Sequence, residues 1–180
     1  MLGRQKKRKN SIGAKKSIFV KSSFAKNEIV LFLAKFLVIF FILTFLINSV
    51  DLSFFSEKEA ALVAGVVGLQ SQGNAVFLSE KTFFVTNNCL GLITASILAA
   101  LIFSFKKPDL KKKLGLFAAG FVLIMVVNVF RLWFVLFSAT NGFDAELVHT
   151  VTWFFMSGVV LFIWYYGSKK CFGKEVYELA

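Results

Sequence analysis

The segment from Leu114 to Phe137, LGLFAAGFVLIMVVNVFRLWFVLF, decides the fold of this chain. Asn128 and Arg131 are its only strongly polar side chains. At about 1.5 Å per residue a helix of this length reaches about 36 Å, enough to cross hydrocarbon about 30 Å thick. Sheets and loops are excluded from this role, because lipid leaves their backbone groups unpaired. The segment therefore predicts a transmembrane helix.

Three further apolar runs predict that this helix belongs to a bundle. They cover Ile29 to Val50, Asn87 to Phe105 and Leu147 to Tyr166. The first run is too long for the core of a signal peptide, and no small-x-small cleavage site follows it, so we expect it to be retained. We therefore predict an all-α membrane protein, a bundle of four transmembrane helices at about 29–50, 87–105, 114–137 and 147–166.

The composition also indicates that the membrane is the solvent of this chain. Hydrophobic residues make up 57% of the 180 residues, and 24 of the residues are phenylalanine. The mean hydropathy is +0.73. Because a soluble domain cannot bury that much apolar surface, a water-soluble protein is excluded.

The net charge of +11 would suit a nucleic-acid partner, but the positions of the basic residues favour another explanation. Of the 21 lysines and arginines, nine lie in 4–26, five in 106–113 and three in 169–174. These segments alternate with outer segments along the chain, which is how the positive-inside rule places cytoplasmic charge. We therefore expect the lipid bilayer, and no nucleic acid, as a partner. An RNA-binding N-terminal tail is the alternative.

The same rule predicts the orientation of the bundle. Segments 51–86 and 138–146 contain two lysines against six acidic residues and are expected outside. Both termini are then cytoplasmic, in a multi-pass protein of the cytoplasmic (inner) membrane. The chain divides into a basic, flexible cytoplasmic tail over 1–28, a transmembrane catalytic bundle over 29–166 and a cytoplasmic tail over 167–180.

The larger outer segment is predicted to hold secondary structure of its own. The stretch EKEAALVAGVVGLQ, residues 57–70, is apolar but too short to cross a bilayer. It predicts a short helix that lies along the interface or tucks into the bundle. The stretch NAVFLSEKTFFV, residues 74–85, predicts a small β-hairpin around Ser79, Glu80 and Lys81 on the outer side.

Three chemically versatile side chains are predicted to reach one level of the membrane. Cys89 falls in the first turn of the second helix, where Asn87 or Asn88 suits the N-cap. His149, the only histidine, falls in the first turn of the fourth helix. Arg131 lies about 9 Å below the outer end of the third helix, within reach of the surface. A thiol, an imidazole and a guanidinium therefore come to the outer leaflet together.

Each of these residues also has an ordinary structural explanation. A lone cysteine in an apolar helix usually packs between helices, and a histidine at a helix start often caps the helix or lies at the interface. An arginine near a helix end often anchors it at the surface. However, Arg131 lies deeper than an anchor needs, and Asn128 shares its helical face. Two side chains so costly in lipid indicate a polar site inside the bundle.

The three groups together would suit acyl transfer from a peptide bond. Cys89 attacks as thiolate, which a helix N-terminus and a nearby cation favour. His149 would take the thiol proton and give it to the leaving amine. Arg131 would hold the oxyanion or clamp a substrate carbonyl or carboxylate. Gly91, two residues after Cys89, would leave room for a peptide.

No metal or other cofactor is expected. One histidine and two cysteines cannot build a closed zinc site. Cys171 is predicted on the opposite side of the membrane from Cys89, which excludes a disulfide between them. The sequence contains no glycine-rich phosphate loop of the P-loop type.

The ordered motifs of this chain resemble those of the exosortase/archaeosortase family. They are NNCLGL with Cys89 and Gly91, NVFR with Asn128 and Arg131, and the downstream His149. The resemblance covers roughly 60–166, and the chain is most like the short exosortase F group. It implies a cysteine transpeptidase, a thiol protease with Cys89 as nucleophile, Arg131 as cation and His149 as base or acid. Supporting or substrate-binding roles fall to Asn88, Gly91 and Asn128.

The resemblance also implies a substrate class. Such enzymes act on secreted proteins whose C-terminal sorting signal combines a short motif, a transmembrane helix and a basic cluster. The motif would be cleaved at the outer face, level with Cys89. Leu90 stands where many members carry serine, and this departure leaves the substrate class less defined.

Two other classes of function compete with an enzyme. A non-enzymatic integral membrane assembly factor would need Cys89 only for packing. A small transporter would use Asn128 and Arg131 to line a path for anions, but the chain lacks a second cluster of intramembrane charges. The oligomeric state is not predicted.

Overall fold

The computed structural model describes residues 27–78, 81–107 and 109–172. Residues 1–26 of the predicted N-terminal tail and 173–180 of the predicted C-terminal tail lie outside the described residues. So do residues 79 and 80, at the centre of the predicted hairpin turn. The described residues are mostly helical and include one small sheet.

Among the described residues, three helices are long and apolar enough to cross a membrane, which confirms a multi-pass membrane protein. Helix α1 covers Asn27–Ser49, α4 covers Leu110–Thr140, and α5 covers Ala145–Phe172 with its candidate span at Ala145–Lys170. Helices α4 and α5 contain the apolar runs from which they were predicted, and α1 contains all of its run except Val50. Because the hydrogen-bonding pattern of a helix does not stop where its hydrophobicity falls, α4 and α5 extend beyond both ends of those runs.

The second predicted span is shorter than the sequence pattern suggested. Residues Asn87–Leu90 form a 3-10 turn, and helix α3 begins only at Leu92 and ends at Ser104. Gly91 separates the two with a φ of 73°, in the left-handed region that interrupts a right-handed helix. The 13 residues of α3 cover about 20 Å, less than the thickness of the hydrocarbon core. The chain thus has three candidate spans and one shorter apolar helix among its described residues.

Helices α3, α4 and α5 pack against one another around a buried apolar core. Gly120 on α4 lies where all three helices meet. A Cβ atom added there would lie 2.5 Å from Cδ2 of Leu98 on α3 and 2.9 Å from Cγ2 of Ile163 on α5. The absence of a side chain at Gly120 therefore lets the three helices approach closely. The fully buried members of this core include Leu98, Ile102 and Ile124.

We expect Gly120→Leu to destabilise the bundle by about 1–3 kcal/mol, the usual cost of overpacking a well-filled core. Gly115→Leu is the matched control, because Gly115 lies on the same helix and a Cβ atom added there would have nothing within 4 Å. Thermal unfolding of the purified protein in detergent would measure the difference. Equal midpoints for the two variants would contradict the packing at Gly120.

Helix α2, Ser53–Val67, confirms the short helix predicted for the larger connecting segment. It packs against α4 rather than lying free, and its small side chains Ala60 and Ala64 are fully buried. On α4 the same apolar cluster includes Leu132 and Leu136, one turn apart. The cluster also includes Cys89, so α2 covers the part of the molecule where that residue lies.

The predicted β-hairpin is confirmed as two strands of a three-stranded antiparallel sheet. Strand β1 is Gln70–Gln72, β2 is Ala75–Phe77 and β3 is Thr82–Phe84, in the spatial order β1-β2-β3. Strand β1, which the sequence analysis did not predict, extends the hairpin on the side of α2. Val76 and Val85 point into the apolar cluster beneath the sheet and are buried.

The outer surfaces of the long helices are apolar, as contact with lipid requires. Phe45 on α1 is 71% exposed and Phe154 on α5 is 77% exposed. Near the start of α4, Lys113 donates a hydrogen bond through Nζ to the carbonyl of Phe105, at the C-terminus of α3. A lysine at that position compensates the free carbonyls of the helix end.

Candidate active site

Cys89 lies on the 3-10 turn before α3, and its side chain is only 4% exposed. The turn closes with a hydrogen bond of 2.8 Å from the Cys89 backbone N–H to the carbonyl of Thr86. The Thr86 hydroxyl Oγ1 is 3.6 Å from Cys89 Sγ, within hydrogen-bonding reach of a thiol or thiolate. The predicted asparagine N-cap is wrong: Thr86 precedes the turn and Gly91 precedes α3, and neither helix has a side-chain cap.

Arg131 and His149 meet inside the bundle. Arg131 on α4 is 4% exposed, and its Nη2 is 3.5 Å from Nε2 of His149 on α5. A guanidinium only donates hydrogen bonds, so Nε2 of His149 accepts and the ring proton belongs on Nδ1. Helix α4 continues to Thr140, nine residues beyond Arg131. Because Arg131 is buried, it does not reach the surface of the bundle as an anchor would, which leaves a role within the bundle.

Several nitrogen and oxygen atoms at this point are buried without a partner. They are Arg131 Nε, His149 Nδ1 and Asn128 Oδ1. Each such atom costs free energy unless something binds it. Their accumulation beside Cys89 is therefore typical of a site that binds a polar substrate group.

Asn128 connects Cys89 to Glu59 through hydrogen bonds of its side-chain amide. Its side chain is fully buried, and Nδ2 donates to the carbonyl of Cys89 at 2.6 Å and to Oε1 of Glu59 at 3.0 Å. Asn128 thus fixes the backbone on which the thiol is carried. A Cβ at Gly91 would lie 3.0 Å from Cγ of Asn128, so glycine is needed there for close packing against α4.

Glu59 on α2 is a member of this group that the sequence analysis counted only as an outer acid. It is half-buried, and it lies within electrostatic range of Arg131. Burial raises the pKa of the Glu59 carboxyl, and the hydrogen bond from Asn128 and the charge of Arg131 only partly oppose this rise. No local sequence pattern marks Glu59, because its partners are about 70 residues away along the chain.

We expect the pKa of Glu59 to make stability fall as pH rises. The folded protein keeps the Glu59 proton to a higher pH than the unfolded chain, so stability is lost between the ordinary value of 4.5 and the raised folded value. Glu59→Gln stays neutral and can still accept from Asn128. Its thermal midpoint should exceed that of the wild-type protein at pH 7 and converge with it below pH 4.5. Glu57→Gln, at an exposed carboxylate on the same helix, is the control; the same pH profile for both variants would contradict the assignment.

Two cavities meet at Cys89 and His149. The first cavity, of about 460 Å³, lies between strand β3 and the start of α5. The second cavity, of about 430 Å³, runs along α5. Both are lined by Thr86, Cys89 and His149, so the thiol and the imidazole are reached from two sides.

The structure brings most of the predicted site residues together. Arg131 contacts His149, Asn128 contacts Cys89, and Gly91 packs on Asn128. Asn88 is exposed and lines the second cavity, at the edge of the site. Trp153, one turn after His149 on α5, lines the same cavity and is 39% exposed. Within residues 27–78, 81–107 and 109–172, no three His, Cys, Asp or Glu side chains are placed to hold a metal ion.

This arrangement defines a class of protein: a multi-pass helical membrane protein with a buried cluster of cysteine, arginine and histidine. The family model described as transmembrane exosortase matches residues 23–166. The chain therefore belongs to the transmembrane exosortase family. Comparisons with curated proteins and with solved structures each found no match. The family suggests a cysteine transpeptidase that acts on secreted proteins with sorting signals.

Proposed function

We propose that this protein is a membrane-embedded cysteine protease and transpeptidase that cleaves the C-terminal sorting signals of secreted proteins. The observation that carries the proposal is the convergence of Cys89, Arg131 and His149 beside two cavities. A packing role for Cys89 alone would not explain why unpartnered polar atoms of Asn128, Arg131 and His149 lie near it. An anion path is disfavoured, because the sequence lacks a second cluster of intramembrane charges.

The reaction would begin when the substrate carbonyl draws the Arg131 guanidinium away from Nε2 of His149, which frees that nitrogen to take the proton of Cys89. The sulfur then attacks the scissile carbonyl carbon, and Arg131 and the Thr86 hydroxyl stabilise the negative charge as it forms. When the tetrahedral intermediate collapses, the C–N bond breaks and the imidazolium returns its proton to the leaving amine. A thioester remains on Cys89. Water or an acceptor amine then attacks it, with His149 as base, and the thiol is regenerated.

The proposal includes an orientation in the cytoplasmic membrane. Both termini lie in the cytoplasm and the cysteine faces outward, because the basic segments flank the opposite ends of the helices. In that orientation α3 serves as a fourth, short membrane segment. The substrate tail would lie parallel to α3, with its basic end in the cytoplasm. Membership of the exosortase F group is part of the same proposal.

Trapping of the acyl-enzyme tests this function directly. Cells that produce the protein would be quenched in acid, and the peptide that carries Cys89 would be analysed by mass spectrometry. We expect an adduct that hydroxylamine removes, that Cys89→Ala abolishes, and that Cys171→Ala leaves in place. The captured chain would identify the substrate. An adduct that persists in Cys89→Ala would overturn the assignment of the nucleophile.

A further inference from the structure

Strand β3 has a free edge. It is the last strand of the sheet, with β2 on one side only among the described residues. The backbone N–H of Val85 donates to the carbonyl of Asn74, and that of Leu78 donates to the carbonyl of Lys81. Residues alternate in an antiparallel ladder, so the odd-numbered residues 81, 83 and 85 face β2. The backbone groups of Thr82 and Phe84 therefore point away from the sheet.

This free edge borders the first cavity. The residues of β3 form one wall of this cavity of about 460 Å³, and the start of α5 forms the other. Phe83 reaches across, with its ring centroid 6.0 Å from that of His149. Cys89 lines the same cavity. A peptide that lay along β3 would therefore end at the nucleophile.

We propose that the residues preceding the scissile bond of the substrate bind as an added strand along the free edge of β3. This inference rests on the proposed function and specifies how that site holds its substrate. Strand addition satisfies the free N–H and C=O groups of an edge, and it binds an extended peptide through its main chain. The backbone of Thr82 and Phe84 supplies these groups. The protein would then recognise every second side chain of the peptide, because successive side chains of a strand point to opposite faces.

The direction of the added strand follows from the direction of β3. The chain of this protein runs from β3 through Thr86 to Cys89 and then enters α3. The substrate would run the same way, from its secreted part towards its apolar helix. The two strands would therefore be parallel, with the scissile bond near Cys89.

The second cavity continues this path beyond the scissile bond. It is lined along α5 by residues spaced over two helical turns, which are Thr150, Trp153, Phe154 and Ser157. A largely apolar wall of this kind suits the first turns of the substrate's transmembrane helix. The two cavities thus separate the extended part of the substrate from its helical part, with Cys89 and His149 at the junction.

Proline substitutions can test the main-chain contacts. Phe84→Pro removes an N–H that points away from β2, so the internal ladder is retained, and proline is tolerated on edge strands. Phe84→Ala removes the side chain but keeps the N–H. Ser71→Pro is the matched control, because Ser71 on β1 pairs with Val76 and the register places the Ser71 N–H on the opposite free edge of the sheet.

The assay would use a host strain that lacks the native gene and carries each full-length variant. The probe is the set of host membrane proteins that end in one apolar helix followed by lysines and arginines, and quantitative mass spectrometry would measure their uncleaved tails. We expect Phe84→Pro to slow cleavage by about tenfold or more relative to Phe84→Ala, and Ser71→Pro to stay within about twofold of wild type. Iodoacetamide labelling of Cys89 would verify that the site is intact. If Phe84→Pro lowers the thermal midpoint, the same cleavage measurement would be made on Thr82→Pro, at the first position of the strand.

Wild-type cleavage in Phe84→Pro and Thr82→Pro would overturn the strand pairing. An equal loss in Phe84→Pro and Phe84→Ala would also overturn it, because the side chain and not the backbone would then bind the substrate. Both outcomes leave the proposed function standing as long as Cys89→Ala remains inactive. Cleavage that continues in Cys89→Ala would instead reject the proposed function itself.

Discussion

Cys89→Ala is expected to abolish cleavage of tail-bearing membrane proteins, with a loss of about a thousandfold or more. Under the proposed function the Cys89 thiol forms the thioester. Alanine differs from cysteine by the loss of one sulfur atom, so the surrounding fold should be retained. Uncleaved substrate should accumulate while the variant inserts into the membrane in normal amounts. Immunoblots of the variant and quantitative mass spectrometry of substrate tails would measure both.

Two further cysteine variants make this result specific. Cys89→Ser keeps a hydrogen-bonding group beside Thr86 but replaces a thiol by a hydroxyl with a much higher pKa, so we expect it to be nearly as inactive as Cys89→Ala. Cys171→Ala should behave as wild type. Normal cleavage by both variants of Cys89 would refute a thioester mechanism and would favour a non-enzymatic role for the bundle.

Arg131→Lys is expected to reduce cleavage by about a hundredfold to a thousandfold, although the charge is retained. The guanidinium contacts His149 through Nη2, and its Nε is buried and unpartnered. Lysine has a shorter reach and lacks the planar fork that can bind two acceptors at once. The substrate oxyanion would therefore lose a donor, and the imidazole would lose its contact. Single-turnover cleavage of the captured substrate would measure the change.

The labelling rate of Cys89 separates a catalytic role of Arg131 from a structural one. Iodoacetamide is small enough for a thiol that is 4% exposed, whereas a bulky maleimide is not a fair probe. Arg131→Lys should keep much of the wild-type labelling rate if Arg131 acts on the substrate, whereas a variant that disturbs the packing around Cys89 should label much faster, because the buried thiol becomes accessible. Wild-type cleavage by Arg131→Met would show that no transition-state contact comes from this residue.

Much of the fold follows from hydrophobic patterns. Long apolar runs with few charges predicted α1, α4 and α5, because lipid demands both the composition and the helical backbone. The hairpin was predicted from two β-prone runs around polar residues. The length of α3 was not predicted. The sequence stays hydrophobic on both sides of Gly91, but the backbone of Gly91 is in the left-handed region, which ends the helix there. Strand β1 was also missed, because QSQ carries no apolar alternation.

The reactive residues of the candidate site were predictable, but their connections were not. Cys89, Arg131 and His149 stand out because each is rare or costly in an apolar setting. Their proximity depends on which helices are neighbours, and no local pattern specifies that. Glu59 and Thr86 have ordinary surroundings in the sequence, and only their distances to Asn128 and to the thiol reveal them.

Under the proposed function, the short length of helix α3 sets the depth in the membrane at which a substrate can be cleaved. With Ser104 at the cytoplasmic boundary, the 13 residues of α3 would reach about 20 Å, so the turn that carries Cys89 would begin about 10 Å beneath the outer edge of the hydrocarbon core. The basic end of the substrate tail would stay at the cytoplasmic boundary. Its scissile bond would then reach the depth of Cys89 only if its apolar helix were about as short as α3, or were unwound at its outer end. The protein would then select substrates by the length of their apolar helix as well as by their motif. Lengthening that helix by one turn would move the scissile bond outward beyond the thiol of Cys89.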